Sequence, residues 1–364
     1  LGHSLRLRKM AERLVVLPDS NNQLKLNFMS RFMFFASAAV AATMLASCNK
    51  ENQFEATSTL DGTQSVTTRA YGDKTPKVVA YIEVNDVNPL NAGDYLMPDG
   101  EPLVDIVELF ASNIHKETVN GQVRPTLYLN DKLTPVLENG GVNSYVVPLQ
   151  EMGIKVLLTV LGDWQGIGVA NMTDTQAEQF ATILAYAVER YGLDGIGFDD
   201  EYANYSGSLV SGSFGNIITK LRSKLASGKL ITVFSYGNTS QINSTAGALV
   251  DYAYTNFTTW NSTIGISGVS KSGWAPSAYN LGNYYGPSAL STITSKAQEA
   301  KNGGYGAIMT FNLRPTSERS PLPVFQAISD GLGTGTITCE GGDRARDITP
   351  VSEGFTISYA LATE

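Results

Sequence analysis

The chain has 364 residues, 16% of them charged, and a formal net charge of -8. Two histidines and two cysteines are too few for a four-ligand zinc site or a disulfide-stapled scaffold, and a histidine-dependent nucleophile would have to work through His115. The acidic balance argues against nucleic acid, whose phosphates need a basic footprint, which leaves carboxylates, hydroxyls and amides acting on a neutral partner.

In chain order, residues 1–28 read as an over-extended start ahead of Met29. From Phe32 to Leu45, directly after Arg31, the run FMFFASAAVAATML has the length of a signal-peptide core and is too short for a comfortable membrane span. It ends in Leu45-Ala46-Ser47-Cys48, which resembles a bacterial lipobox. The expectation is a lipoprotein signal over 29–48, lipid attachment at Cys48, a polar flexible tether over 49–77 and a place on the bacterial cell envelope.

After Pro76, short apolar runs alternate with longer amphipathic ones. Strands are predicted at 78–84, 106–114, 155–161, 195–199, 230–235, 252–256, 275–281 and 307–312, with helices between them such as 175–191. Eight nearly continuous apolar strands with intervening helices predict an α/β fold, a single (β/α)8 TIM barrel over 78–333, followed by a short β-like tail over 334–364. A doubly wound nucleotide-binding sheet is disfavoured, because no glycine-rich phosphate loop follows the first strand. No internal repeat is visible.

The most informative segment runs from Asp194 to Tyr205. Side chains alternate across a strand, so Gly195, Gly197, Asp199 and Glu201 share one face and apolar Ile196 and Phe198 the other. Asp199 and Glu201 therefore point into the barrel at the end where such barrels carry their active sites. Two carboxylates about 6 to 7 Å apart along a strand suit acid catalysis, since ionising one raises the pKa of the other.

Asp194-Gly-Ile-Gly197-Phe-Asp199-Asp-Glu201 resembles the DxxDxDxE signature of family-18 glycoside hydrolases, and more closely that of bacterial endo-β-N-acetylglucosaminidases of the endoglycosidase H/F type. Further stretches resemble that family in order and spacing: Val79 to Asn85, Gly153 to Gly162, Gln165-Gly166, Asp251-Tyr-Ala253 and Thr310-Phe-Asn312. The resemblance implies hydrolysis of the chitobiose core of N-linked glycans by substrate-assisted retention, without metal or organic cofactor. It also implies Glu201 as the acid, Asp199 as the carboxylate orienting the substrate acetamide, and Tyr254 as the sixth-strand tyrosine, with Phe257 as the rival occupant of that place in the stretch Tyr254-Thr-Asn256-Phe257. One departure stands out: the second aspartate of the signature is replaced by Gly197, leaving room for water beneath Asp199. That departure keeps open an alternative, a glycan-binding lipoprotein that has lost turnover.

Other candidates for substrate contact are Glu83 and Asn85 ending the first strand, Trp164 beside Gln165, Tyr236 and Asn238 after the fifth strand, Asn256, and Asn312 on the eighth. Trp260 and Trp274 divide evenly between sugar stacking and core packing. The expected partners are N-linked glycans on glycoproteins, bound by a monomer that meets a membrane only through its lipid.

Overall fold

The computed structural model describes residues 74–205, 207, 209–313, 320–341 and 344–364. The expected signal, Cys48 and the tether up to residue 73 lie outside the described residues.

Eight parallel strands form the ring: β1 (Lys77–Glu83), β2 (Ile106–Val119), β3 (Lys155–Gly162), β4 (Gly195–Asp199), β5 (Leu230–Phe234), β6 (Tyr252–Tyr254), β7 in two pieces (Trp274–Ala275 and Ala278–Asn280) and β8 (Ala307–Phe311). The first piece of β7 pairs with β6 and the second with β8. Pro276, which has no N–H to give the ladder, marks the break. Ser277 still accepts from the Met309 backbone N–H at 3.1 Å, so the ring closes across the kink.

The strands are apolar on both faces, as a sheet buried on both sides requires. Val78, Ala80, Ile82, Val156, Leu158, Ile196 and Phe198 join the outer core under the helices, whereas Val79, Tyr81, Ile106, Leu157, Phe234, Tyr254 and Met309 fill the barrel interior. Helix α1 (Asp174–Arg190) opens with a capping box between Thr173 and Gln176 and buries Ala177, Phe180, Ile183, Leu184, Ala187 and Val188 on one face. Helices α2 (Ser213–Lys224), α3 (Pro287–Gly303) and α4 (Leu322–Leu332) follow β4, β7 and β8. The connections after β1, β5 and β6 hold only short pieces: Pro89–Asp94 and Tyr95–Leu96, then Thr239–Gln241 and Ser244–Gly247, then Lys271–Gly273. After β5 and β6 the Asn, Ser, Thr and Gly content offers no apolar stripe on which a longer helix could pack.

Two further elements differ from a plain barrel. Strand β2 runs well past its expected end, turns at Asn120-Gly121 and returns antiparallel as Gln122–Leu129. The segment 334–364 is stitched along the barrel. Thr338–Cys339 pairs with Tyr95–Leu96, Arg344 forks onto Asp94, Arg346 donates to the carbonyls of Val84 and Lys132, and Phe355–Ile357 pairs with the return strand.

The base of the barrel carries a repeated device that no sequence repeat announces. Asp105, Asp194 and Asp251 each stand one residue before an even-numbered strand. Each takes the backbone N–H of Val78, Val156 or Ile231 on the preceding strand at 2.7, 3.0 and 2.7 Å, and a cation as well: Lys74, Lys155 or Arg222. Asp194, the first aspartate of the fourth-strand signature, is thus a latch between β3 and β4 at the end remote from Glu201. Replacing it with alanine leaves the Val156 N–H without its acceptor, so Asp194→Ala is expected to cost about 2 kcal/mol in denaturant unfolding while the remaining protein keeps its catalytic constants.

Candidate active site

At the other end of β4 the chain leaves the ladder but stays pinned. The carbonyls of Glu201, Tyr202 and Ala203 accept from the backbone N–H groups of Gly162, Trp164 and Gly166. A Cβ at Gly162 would lie 2.4 Å from the Ala203 nitrogen, so only glycine lets the two segments come this close. Trp164, Tyr202 and Asn204 hold left-handed backbone angles (φ 54°, 55° and 50°), a costly conformation that clusters here around Glu201. Asp200, on the opposite face from Asp199, accepts from the Tyr205 hydroxyl and from the backbone and side-chain N–H groups of Asn238 at 2.7 and 2.8 Å. Fixing Asp200 fixes the direction of its two neighbours.

Asp199 and Glu201 face a cavity of about 480 Å³ whose polar wall includes Glu83, Asn85, Asn113 and Asn130. Aromatic rings form a collar: Phe110 and Phe311 stand 5.8 Å apart, Phe257 and Phe311 5.6 Å, and Phe234 and Phe257 5.6 Å. Apolar walls deprive a carboxylate of water and so favour its neutral form. Burial, followed by the charges of Glu201 and Asp200, pushes the Asp199 carboxyl up to about 8, and burial alone raises Glu201. One carboxyl oxygen of Asp199 and the hydroxyl of Tyr81 are buried without a hydrogen-bond partner. Unpaired polar atoms cost free energy, and these two belong to residues that line the cavity.

Beneath them is a carboxylate for which the sequence had suggested no role. Glu108 on β2 is fully buried and accepts from the hydroxyls of Thr159 (2.8 Å), Thr232 (2.5 Å) and Tyr254 (3.2 Å). Burial pushes it up to about 7 against the opposing pull of those three bonds. A Cβ at Gly197 would come 2.2 Å from Glu108 Oε2. The room left by Gly197, read from the sequence as a place for water, therefore holds a side chain from another strand. Its one visible signal was a glutamate inside the apolar run Ile106-Val-Glu-Leu-Phe110.

The remaining candidates separate into three groups. Glu83 and Asn85 line the cavity, and Asn312 holds Glu83 from both sides, donating to Glu83 Oε2 at 2.8 Å and accepting from its backbone N–H at 3.1 Å. Trp164 and Tyr236 are exposed at the rim, beside the lining residues Tyr202 and Phe234 respectively. The others stand off the cavity. Tyr254 is fully buried below its floor with its hydroxyl on Glu108, and it is Phe257 that reaches the wall. Asn238 is committed to Asp200, Asn256 is exposed and accepts from the Phe257 N–H, and Gln165 is half-buried outside the lining. His115 stacks on Tyr128 and bonds Asp163, Trp260 packs on Tyr305, and Trp274 is core with its indole N–H on the Asn261 carbonyl. Among the described residues no group of three or more His, Cys, Asp or Glu could hold a metal ion.

Comparison with known proteins gives consistent relatives. An endo-beta-N-acetylglucosaminidase of Flavobacterium sp. (strain SK1022) is 36% identical over 255 residues, 68% of this chain and 77% of its own. Endo-beta-N-acetylglucosaminidase F1 of Elizabethkingia meningoseptica is 34% identical over 275 residues, 70% of this chain and 78% of its own. Bacteroides thetaiotamicron EndoBT-3987, solved with a Man5GlcNAc product, superposes with a TM-score of 0.63 at 26% identity, covering 80% of this chain and 68% of that one. No protein-family model matches the chain.

A carboxyl whose folded pKa is raised costs the protein stability once the unfolded chain ionises: its contribution is intact below the unfolded pKa and is lost as pH rises through the folded one. Asp199→Asn removes that cost. It is expected to raise the thermal unfolding midpoint at about pH 8 and to leave it unchanged near pH 3, which paired melting curves at the two pH values read directly.

Proposed function

Since the chain belongs to the endo-β-N-acetylglucosaminidases, we infer that it hydrolyses the bond between the two N-acetylglucosamines at the core of N-linked glycans, leaving one sugar on asparagine. The observation that carries this reading is the placement of Asp199 and Glu201 on one wall of one cavity, with an Asp199 oxygen buried and unpaired. The product bound to the related Bacteroides protein, Man5GlcNAc, carries a single N-acetylglucosamine, as a cut inside the core requires.

The mechanism follows from the environments of the two acids. Glu201, whose proton is held more tightly by burial than it would be in water, protonates the glycosidic oxygen as the bond breaks. The substrate acetamide oxygen attacks the anomeric carbon, forming an oxazolinium-type intermediate with the configuration retained after water adds. The unpaired Asp199 oxygen takes the acetamide N–H, and the carboxylate opposes the positive charge that grows on that nitrogen, an interaction stronger in the transition state than before it. Glu201 then removes a proton from the incoming water. Glu83, clamped by Asn312, and Asn85 contact sugar hydroxyls, with Trp164 and Tyr236 as stacking faces at the rim. The alternative of a binder without turnover rested on the space at Gly197, and Glu108 occupies that space.

We also propose that the protein acts as a monomer tethered to the cell envelope through a lipid on Cys48, a reading supported by the charged, apolar and small-residue order of 29–48. In a bacterial host, Cys48→Ser is expected to abolish metabolic labelling with palmitate and to release activity from the membrane fraction.

For the reaction itself, Glu201→Gln is expected to lower kcat by about 10³-fold with KM little changed, measured by mass spectrometry of the single N-acetylglucosamine left on a high-mannose glycoprotein. Undiminished product from that variant would remove Glu201 from the role of acid.

A further inference from the structure

The signature that β4 resembles places two inward carboxyls one below the other, and here the lower position is Gly197. Glu108 fills that volume from β2, two strands round the ring. Thr159, Gly197 and Thr232 are ladder neighbours on β3, β4 and β5, so the glycine sits between the two hydroxyls that grip the carboxyl. Tyr254 adds a third hydroxyl from β6. From β1 the Tyr81 phenol, buried and unpaired, lies in the field of both Glu108 and Asp199. The named partners of Glu108 are thus the hydroxyls of Thr159, Thr232 and Tyr254, with no cation among them, and the Tyr81 phenol feels both Glu108 and Asp199. For stability alone an apolar side chain would cost less here, which points to use of the carboxyl.

We propose that Glu108 is a positioning residue for Asp199, supplying from the second strand the proton-sharing carboxyl that the fourth strand lacks. This rests on the reaction inferred above and deepens it. Two carboxyls this deep in one dry interior do not both ionise cheaply, so near neutral pH the pair holds one proton. When positive charge builds on the substrate nitrogen, Asp199 gives up that proton and the Glu108 carboxylate takes it. The charge of the pair is unchanged, while the anion has moved to the atom that faces substrate.

The test uses three variants of the full chain. Glu108→Gln keeps the shape and can hydrogen-bond the same hydroxyls but cannot accept the proton: kcat is expected to fall about 10- to 100-fold with KM within about twofold. In the same variant the Asp199 titration, followed by NMR of carboxyl-labelled aspartate, moves to lower pH by about half a pH unit or more. Gly197→Asp alone forces two carboxyls into one volume and loses activity. Combining Gly197→Asp with Glu108→Ala returns the carboxyl to β4 and is expected to recover about tenfold in kcat over Glu108→Ala. Wild-type kcat with an unmoved Asp199 titration in Glu108→Gln overturns the proposal, as does a folded double variant with no recovery. If Glu108→Gln does not fold, the double variant decides. Should the native chain leave no single sugar on the glycoprotein, the assigned reaction falls, while the NMR titration still decides whether Glu108 and Asp199 are coupled.

Discussion

A carboxylate removed from water draws its proton back, and the upper half of this barrel is arranged around that fact. Glu108, Asp199 and Glu201 stand at successive depths, and their surroundings grade from hydroxyls alone, through a mixed wall, to the half-open mouth. The aromatic collar of Phe110, Phe234, Phe257 and Phe311 makes the difference. In bulk water the three groups would be ordinary carboxylates, ionised and interchangeable. Behind those rings they hold different proton affinities, which is what lets one act as acid and another as counter-charge.

That arrangement needs a frame that does not yield, and the two ends of the barrel divide the labour. At the base, Asp105, Asp194 and Asp251 clamp strands in pairs, with their charges met by Lys74, Lys155 and Arg222. At the mouth the acids have no cationic partner among their named contacts, and part of their hydrogen-bonding capacity is unused. The same side-chain type is structural where it is paired and reactive where it is not. The fourth-strand segment carries both versions, Asp194 just before the strand and Asp199 at its end, five positions apart.

Local signals were legible and distant ones were not. The β-branched and apolar runs marked all eight barrel strands, and the alternation from Gly195 to Glu201 put the two acids inward, since period-two placement needs only neighbours along the chain. The dependence of Gly197 on Glu108 joins residues far apart in sequence, and neither is informative until the strands are closed into a ring. The sixth-strand position failed for a related reason. Tyr254 and Phe257 are three residues apart at a strand end where the ladder stops, and whether a side chain lies below the cavity floor or on its wall depends on how the chain leaves the sheet. Asn312 stood as a sugar contact and Asn238 equally as a sugar contact or a loop cap, and nearby Glu83 and Asp200 engage their amides.

The stitched segment has a consequence for the order in which the molecule can be assembled. Phe355–Ile357 pairs with Gln122–Leu129, far back along the chain, and Arg344 and Arg346 close onto the connection that follows the first strand. Contacts between early and late parts of a chain form slowly, because the intervening loop must first be brought together. A chain on which this segment has not yet docked would carry an open seam along the connection after β1 and along the hairpin. Sealing this side of the barrel is therefore a long-range step, set by the docking of a segment remote in sequence rather than by any local turn or strand signal.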